Sequence, residues 1–203
     1  MTTATAPIKL SRLTLSSGRS LERALQVRRS IREYSREPLT QDELAQLLWA
    51  AQGVTAPEGL RTAPSAGALY PLEIDVVVGE VEGLPGAIYR YKPDQHALVL
   101  IREGDRRREL RTAALGQECV EAGAAVIALA GVYQRTTGKY GERGIRYVHM
   151  EAGHAAQNIC LEATALGLGT VVVGAFEDGP VKRVLGLARD EEPLALIPVG
   201  RPS

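Results

Sequence analysis

The sequence has few cysteines and few aromatic residues. Cys119 and Cys160 are its only cysteines in 203 residues, and aromatic residues make up 4%. Two cysteines are too few for a disulfide framework, and their spacing is not that of a metal site. We therefore expect both to be buried, reduced thiols, which is how most unpaired cysteines behave in a core.

The sequence also has no excess of charge of either sign. Lys and Arg number 24, as do Asp and Glu, so the formal net charge is zero. Nucleic-acid-binding proteins usually carry a strong basic balance, which argues against nucleic acid as a partner. No uncharged apolar run is long enough for a membrane span. The N-terminus lacks the basic-then-apolar order of a signal peptide, so we expect no membrane association and a cytoplasmic protein.

Several motifs of cofactor and metal chemistry are missing as well. His149 and His154 are five residues apart and would not share a helix face, so we expect no metal site. The Gly167–Gly169 pair precedes a predicted strand and lacks a third glycine, unlike a dinucleotide-binding fingerprint. There is no P-loop.

The composition is that of a globular protein, with 45% hydrophobic and 24% charged residues. Residues 1–19, rich in Thr, Ser and Gly, are expected to form an N-terminal extension. Residues 20–203 show no repeat or interior linker, and we expect one α+β domain with a mixed central β-sheet flanked by helices.

Apolar periodicity and capping signals predict the elements of this domain. Thr40 to Glu43 form a capping-box pattern, and the apolar run Ala125–Val132 is typical of a strand buried on both faces. Residues 53–72 and 133–146 are predicted to be loop. The predicted helices span about 21–30, 41–53, 106–115, 117–122, 147–166 and 179–185, and the predicted strands 74–78, 88–91, 98–101, 125–132, 170–173 and 194–199.

An arginine cluster at the end of the first predicted helix is the first candidate for chemistry. Arg28, Arg29, Ser30 and Arg32 offer guanidinium groups, which bind phosphate oxygens in pairs, and a hydroxyl. The alternative is a solvated basic turn, since cations are also favourable at helix C-termini.

Three further segments could form a site. The loop from Pro64 to Pro71 is rigid and could lie against a flat aromatic ligand, with Ser65 at the edge of that ligand; the alternative is an ordinary turn. Gly174 and Ala175 follow a predicted strand with unobstructed backbone N–H groups. Lys139 and Tyr140 are adjacent potential proton-transfer groups, unless they belong to a solvated charged loop.

Taken in order, these segments resemble the nitroreductase-like flavoprotein superfamily over about residues 20–203. Within it they look most like the SagB-type dehydrogenases, a branch that includes oxidases turning thiazolines and oxazolines into thiazoles and oxazoles in modified peptides. The motifs that carry the resemblance are Arg-Arg-Ser-x-Arg at 28–32, Pro-Ser-Ala-Gly-Ala-Leu-Tyr-Pro at 64–71, Lys-Tyr-Gly-x-Arg-x-x-Arg-Tyr at 139–147, Glu-Ala-Gly-His-x-x-Gln-Asn at 151–158 and Pro-Val-Gly-Arg-Pro at 198–202.

The resemblance implies a nitroreductase-like α+β fold and a domain-entwined homodimer with two FMN sites at its interface. It implies a separate role for each motif. The phosphate and ribityl end would be held by Arg28, Arg29, Ser30 and Arg32, and Arg201 would close on the phosphate. The flavin ring would lie against a loop of the other subunit, formed by Pro64, Ser65, Ala66 and Gly67. The flavin N5 would lie near the backbone N–H of Gly174 or Ala175.

In the azoline-oxidising branch, a Lys-Tyr pair is implicated in proton abstraction, and Lys139 and Tyr140 match that pair. The sequence thus predicts an FMN-dependent oxidoreductase that moves hydride through N5 by a ping-pong mechanism. The donor would be NAD(P)H or an organic C–H bond, and the substrate a small molecule or a modified peptide. The alternatives are a general NAD(P)H-dependent nitro- or quinone reductase, a non-catalytic FMN-binding protein, and an inert scaffold.

Overall fold

The computed structural model describes residues 6–15 and 19–203, and it has one seven-stranded sheet. No helix among these residues is long and apolar enough to cross a membrane. The strands are β1 (Ile8–Lys9), β2 (Leu72–Val78), β3 (Ala87–Lys92), β4 (Ala97–Glu103), β5 (Ala125–Gly131), β6 (Gly169–Thr170) and β7 (Glu192–Gly200).

The strand order is β1-β4-β3-β2-β5-β7-β6, which places β2 and β5 near the centre. Each ladder between these strands is antiparallel, so the prediction of a mixed sheet is wrong in this respect. Among residues 6–15 and 19–203, parallel pairing is confined to the isolated bridges Ser30–Thr170 and Leu39–Val81. The apolar run in β5 indicates burial on both faces, and an antiparallel strand has that burial when helices cover both sides of its sheet.

Helices cover both faces of the sheet, as predicted for an α+β protein. The helices are α1 (Leu21–Val27), α2 (Gln41–Gln52), α3 (Arg107–Ala113), α4 (Glu118–Ala122), α5 (Tyr133–Tyr140), α6 (Arg143–Ala165) and α7 (Asp178–Leu185). The predicted capping box starts α2, since Thr40 Oγ1 accepts from Glu43 N and Glu43 Oε2 accepts from Thr40 N.

The core has two layers because successive residues of a strand point to opposite faces. Val76 and its register partner Ile127 pack with α2 and α6, in the larger apolar cluster. Val77 and its partner Val126 pack with α3, α4 and α7 on the other face. Both cysteines are buried and unpaired, as predicted.

The segment 133–146, predicted as loop, is largely helical. It contains α5 and the first turn of α6, which begins at Arg143 instead of 147. Two glycines allow this hairpin of helices. Gly141 takes a φ of 57° between them, and a Cβ on Gly144 would lie 2.8 Å from the backbone of Thr137. Gly141 and Gly144, which suggested a loop in the sequence, therefore allow α5 and α6 to pack closely.

One other predicted segment differs in part from the structure, and the N-terminal extension is partly described. The strand predicted over 170–173 is a two-residue ladder followed by an isolated bridge at Val173–Leu196. Within the N-terminal extension, the part that the structure describes packs on the chain itself. β1 pairs with β4, and the Gln46 amide both donates to and accepts from the backbone of Thr14. Residues 1–5 and 16–18 lie outside the described residues.

Candidate active site

The loop after α2 is held in a tight, partly left-handed conformation. The Tyr70 N–H donates to Ser65 Oγ at 2.9 Å, and the Ala68 N–H donates to Ser65 O at 3.1 Å. Gly67, Ala68 and Tyr70 have φ values of 65°, 53° and 45°. Non-glycine residues with positive φ are uncommon and often mark functional sites, so this loop is a candidate on backbone geometry as well as on sequence.

The loop contacts the predicted proton-transfer pair within the same chain. A Cβ built on Gly67 would lie 2.7 Å from Tyr140 Oη and 3.0 Å from Lys139 Nζ. Lys139 is exposed and Tyr140 is half-buried at the end of α5, where its ring packs edge-on against that of Tyr147. Two segments separated by about 70 residues in sequence thus form one cluster.

The same loop is anchored on its other side by α6, which sequence reasoning did not assign a role. Glu151 is 2% exposed, accepts from Gln52 Nε2 at 3.2 Å and lies close enough to the Ser65 side chain for that group to lower its pKa. Burial raises the pKa of the Glu151 carboxyl, against the hydrogen bonds and the nearby cations Arg61 and His154. The available signal was the Glu-Ala-Gly-His-x-x-Gln-Asn motif, whose polar residues recur at helical spacing.

The arginine cluster lies at the end of α1, beside β6. Arg28 is the C-cap residue of the helix, and Ile31 N donates to Thr170 O where Ser30 pairs with that residue. Arg29 Nη1 donates to the backbone carbonyls of Gln26 and Arg28. Ser30, Arg29 and Arg32 are exposed, and Arg28 is half-buried.

The cluster's charge is not neutralised locally. Within residues 6–15 and 19–203, no carboxylate forms an ion pair with Arg28, Arg29 or Arg32. Many other arginines, such as Arg90 and Arg107, do pair with carboxylates. These guanidinium groups are therefore available to an anionic ligand.

Gly174 and Ala175 lie near the start of α4, to which Arg32 is also close. Gln117, the residue before α4, donates to Ala175 O at 2.7 Å. Burial raises the pKa of the Cys119 thiol in α4, and the nearby charge of Arg32 partly opposes this rise. Gly174 is exposed, with no atom within 4 Å of a built Cβ, so its backbone is open to a ligand.

Arg201, by contrast, is already paired. Its Nε lies 2.7 Å from Glu37 Oε1, and its Nη2 lies 3.1 Å from Glu43 Oε1. Pro202 forms a bridge with Tyr34, and Ser35 N donates to Arg201 O. Arg201 thus ties the end of the chain to the start of α2 and would have to exchange these carboxylates for a phosphate.

The predicted residues therefore form two groups along α6. Burial raises the pKa of the Cys160 thiol and the charge of Arg28 partly opposes this rise, which places Arg28 near that end of α6. The loop of residues 64–70 (the Gly67 loop) instead meets α6 at Glu151 and His154. Nine residues of α-helix separate 151 from 160, which is about 13 Å at 1.5 Å per residue. Within one chain, the arginine cluster and the Gly67 loop lie at separate stretches of the helix.

Comparisons with known proteins agree with this fold and these motifs. The model of the nitroreductase family matches residues 25–201. A protein of Methanocaldococcus jannaschii that is provisionally named a nitroreductase is 51% identical over 181 residues, covering 89% of this chain and 90% of that protein. The structure of a provisionally named nitroreductase from Ralstonia eutropha JMP134 has a TM-score of 0.86 at 30% identity, and the match covers 100% of this chain and 92% of that one.

Two more distant proteins are also similar. The trifolitoxin operon protein TfxC of Rhizobium leguminosarum bv. trifolii is 28% identical over 98% of this chain, which spans 59% of TfxC. A chain of the Escherichia coli microcin synthetase McbBCD complex, solved with truncated pro-MccB17 bound, shares the fold with a TM-score of 0.77 at 23% identity; the match covers 100% of this chain and 77% of that one. With the family model matching most of its length, this chain belongs to the nitroreductase family of flavin-dependent oxidoreductases.

Proposed function

We propose that this protein is an FMN-dependent dehydrogenase of the SagB type, acting on an azoline-like group in a small molecule or modified peptide. The observation that carries the proposal is the cluster of Gly67 with Lys139 and Tyr140. An amine and a phenol stand within 3.0 Å of the position that a Cβ on Gly67 would take. Oxidation of a C–H bond to form a double bond removes a hydride from one atom and a proton from its neighbour. Lys139 and Tyr140, beside the loop that would hold the flavin ring, would accept that proton.

The arginine cluster fits the phosphate of FMN. Arg28, Arg29 and Arg32 have no carboxylate partner among the described residues, and Ser30 adds an exposed hydroxyl. Charge-assisted hydrogen bonds from guanidinium groups are the strong contacts that hold phosphates in proteins. The dinucleotide fingerprint that FAD or NAD sites often use is absent from the sequence. A terminal phosphate on a mononucleotide flavin is therefore the ligand we favour.

These positions give each group a role in the proposed reaction. FMN, when bound, would supply the exchange of hydride between donor and acceptor in a ping-pong cycle. Lys139 would take the proton that leaves the substrate carbon, and Tyr140 would orient the same substrate atom or relay the proton to solvent. Gly174 and Ala175 would offer backbone N–H groups to the ring.

The shared site makes a homodimer part of the proposal. The resemblance to the nitroreductase-like flavoproteins implies that each flavin takes its phosphate contacts from one subunit and its ring loop from the other. In keeping with this, the arginine cluster and the Gly67 loop lie at separate stretches of α6, about 13 Å apart. The exposed apolar side chains of α1, Leu21 and Leu25, are 60% and 54% exposed in the single chain and are suited to such an interface.

A general NAD(P)H-dependent nitro- or quinone reductase is the second candidate. It is favoured by the 51% sequence identity with the M. jannaschii protein provisionally named a nitroreductase. Similarity to TfxC and the Lys139–Tyr140 pair favour the dehydrogenase instead. The two functions differ in whether a proton must be removed from substrate carbon.

The cofactor is tested first. We expect freshly purified protein to be yellow and heat to release FMN, identified by chromatography against FMN and FAD standards. NADH or NADPH is then added without oxygen, and bleaching of the flavin band identifies the donor. Release of FAD, or no bound flavin after FMN has been supplied, would rule out the proposed function.

A further inference from the structure

One face of α6 carries three polar side chains that the proposed function does not use. Glu151, His154 and Asn158 are spaced i, i+3 and i+7 and therefore lie along the same side of the helix. All three side chains face the segment of residues 62–65, which leads into the Gly67 loop: His154 and Asn158 lie within hydrogen-bond distance of its carbonyl groups, and Glu151 interacts with the Ser65 side chain. The Glu-Ala-Gly-His-x-x-Gln-Asn motif thus corresponds to a single contact surface.

Glu151 makes the most buried of these contacts. The residue is 2% exposed, and its carboxyl group accepts from Gln52 Nε2 at 3.2 Å. The Ser65 oxygen already accepts from the Tyr70 N–H at 2.9 Å, so the Ser65 hydroxyl proton is free to point at Glu151. The chain Glu151–Ser65–Tyr70 then spans the whole loop from the helix to its far end.

The other two residues hold backbone carbonyl groups just before Ser65. The His154 ring nitrogen Nδ1 lies 3.4 Å from Pro64 O. Asn158 Nδ2 donates to Ala50 O at 3.0 Å and to Thr62 O at 3.3 Å. These bonds fix the path of the chain between α2 and the loop.

The opposite side of the loop faces the predicted proton-transfer pair. Gly67 lies against Lys139 and Tyr140, and Arg135 Nη1 donates to Tyr70 O at 3.1 Å. The loop is therefore held between α6 on one side and α5 on the other. A shift of the loop on α6 would move Gly67 relative to Lys139 and Tyr140.

We propose that the Glu151–His154–Asn158 face of α6 is a positioning platform for the Gly67 loop, and that Glu151 is its central positioning residue. Its catalytic consequence rests on the proposed function, whereas the contact itself does not. A carboxylate is an unfavourable choice for a buried helix position unless its acceptor oxygens are needed. Here they face polar groups of two elements: Gln52 of α2, which donates to Glu151 at 3.2 Å, and the Ser65 side chain of the loop.

The chain offers a matched control on the same helix. Glu162 also lies on α6 and also accepts from a glutamine of α2, Gln46 Nε2, at 3.1 Å. It has no contact with the Gly67 loop in the hydrogen bonds described for it. Glu151→Gln and Glu162→Gln therefore make the same chemical change, and only the first leaves a single acceptor oxygen for both Gln52 and Ser65.

Amide hydrogen exchange of the protein without added flavin tests the contact. In Glu151→Gln we expect the Tyr70 and Ala68 amides to exchange about 10-fold faster, the factor that corresponds to a net loss of about one hydrogen bond. In Glu162→Gln we expect wild-type rates at both amides. Equal rates in all three proteins, or equal acceleration in both variants, would overturn the proposal.

A second variant approaches the contact from the loop. Ser65→Ala should accelerate exchange of the Ala68 amide, whose acceptor is the Ser65 backbone carbonyl. Combining it with Glu151→Gln should add little, since both changes break one connection. Fully additive effects in the double variant would show that Glu151 does not act through Ser65 and would overturn its central role.

Turnover of the flavin-loaded protein separates positioning from general support of the fold. We expect Glu151→Gln to lower kcat about 10-fold, while flavin occupancy and melting temperature match those of Glu162→Gln. An unchanged kcat together with faster exchange would refute a role in positioning the reacting groups. If the protein binds no flavin, the proposed function fails, and the exchange rates still decide whether the platform exists.

Discussion

At the scale of residues, the proposed site brings an adjacent lysine and tyrosine, Lys139 and Tyr140, against a glycine about 70 residues away in sequence, Gly67. Gly67 needs its positive φ for the turn and lacks the Cβ that would fall 2.7 Å from Tyr140 Oη. The adjacency of Lys139 and Tyr140 in the sequence indicated a pair of proton-transfer groups. The structure adds that both side chains lie against the Gly67 loop.

Replacement of Lys139 tests this pair. Lys139→Ala should lower oxidation of an azoline-like substrate by about 10²–10⁴-fold, the usual contribution of a general base. Reduction of a quinone by NAD(P)H removes no proton from substrate carbon and should change far less. The control is Lys9→Ala, an exposed lysine on β1. Equal small effects on both reactions would instead support the general reductase.

Replacement of single arginines tests the phosphate site. Arg28→Ala or Arg32→Ala should weaken FMN binding by about 10- to 150-fold, because a charge-assisted hydrogen bond contributes about 1.5–3 kcal/mol. The exposed Arg108 on α3 provides the control Arg108→Ala. Flavin titration followed by fluorescence measures the affinities, and wild-type affinity in both variants would remove these arginines from the site.

Glu151 should also leave a signature in the pH dependence of stability. Burial raises the pKa of its carboxyl despite the opposing effects of Ser65, Gln52, Arg61 and His154. The folded protein then holds the proton more tightly than the unfolded chain. Its contribution to stability is present below the ordinary Glu pKa of about 4.3 and is lost as pH rises through the raised value.

Glu151→Gln carries no titrating proton at this position. We therefore expect the unfolding free energy of the variant, relative to that of the wild type, to increase as pH rises above about 4.3. Urea unfolding at a series of pH values measures this difference. A difference that is constant with pH, or that falls, would show that the carboxyl is not destabilised by its burial.

At the scale of elements, the sheet is fastened by a buried network of charges. Arg90 in β3 donates to both carboxylate oxygens of Asp75 in β2, at 2.7 and 2.9 Å, and Asp75 is its register partner. It also donates to Glu191, immediately before β7. Because β5 lies between β2 and β7, the arginine connects strands that are not neighbours.

Removal of this arginine should be costly. Arg90→Met would leave the Asp75 carboxylate, whose side chain is 1% exposed, without a cation, and breaking a buried pair in this way costs about 3–5 kcal/mol. Arg106→Met is the matched control, because the Arg106–Glu109 pair is exposed and should contribute less than about 1 kcal/mol. Urea unfolding compares the two variants, and similar losses in both would contradict the assignment.

At the scale of the whole molecule, the single chain leaves apolar surface uncovered. α1 buries only Ala24, whereas Leu21 and Leu25 are exposed, as is Met150 on α6. Short helices of this kind gain their stability from packing and not from propensity. A second copy of the chain would cover this surface and bring an arginine cluster to a Gly67 loop.

Light scattering at micromolar concentration should therefore show a dimer. Stable obligate interfaces commonly bury more than about 2,000 Å², and a charge on α1 would disrupt such an interface. Leu25→Glu should shift the protein toward monomer and release flavin. The control Ile101→Glu changes an exposed residue of β4 and should leave the dimer intact. A flavin-loaded monomer would contradict both the dimer and the shared site.

Much of the fold is determined locally, and the sequence was sufficient there. The capping box at Thr40–Glu43, the two-sided apolar run of β5 and the helical spacing of α6 each reflect interactions within a few residues of the chain. The order of motifs likewise identified the family that the comparisons show. These features can be predicted from the sequence because periodicity and capping are properties of contiguous residues.

The tertiary structure decided what depends on distant residues. Strand direction in the sheet does not follow from burial, and the glycines at 141 and 144 mean a helical hairpin only because α5 and α6 pack together. The pairing of Arg201 with Glu37 and Glu43, and the contact of Glu151 with the Gly67 loop, join segments far apart in the chain. The sequence by itself determined most of the elements, the family and the chemical groups; packing of α6 between the loop and the sheet decided which of those groups meet.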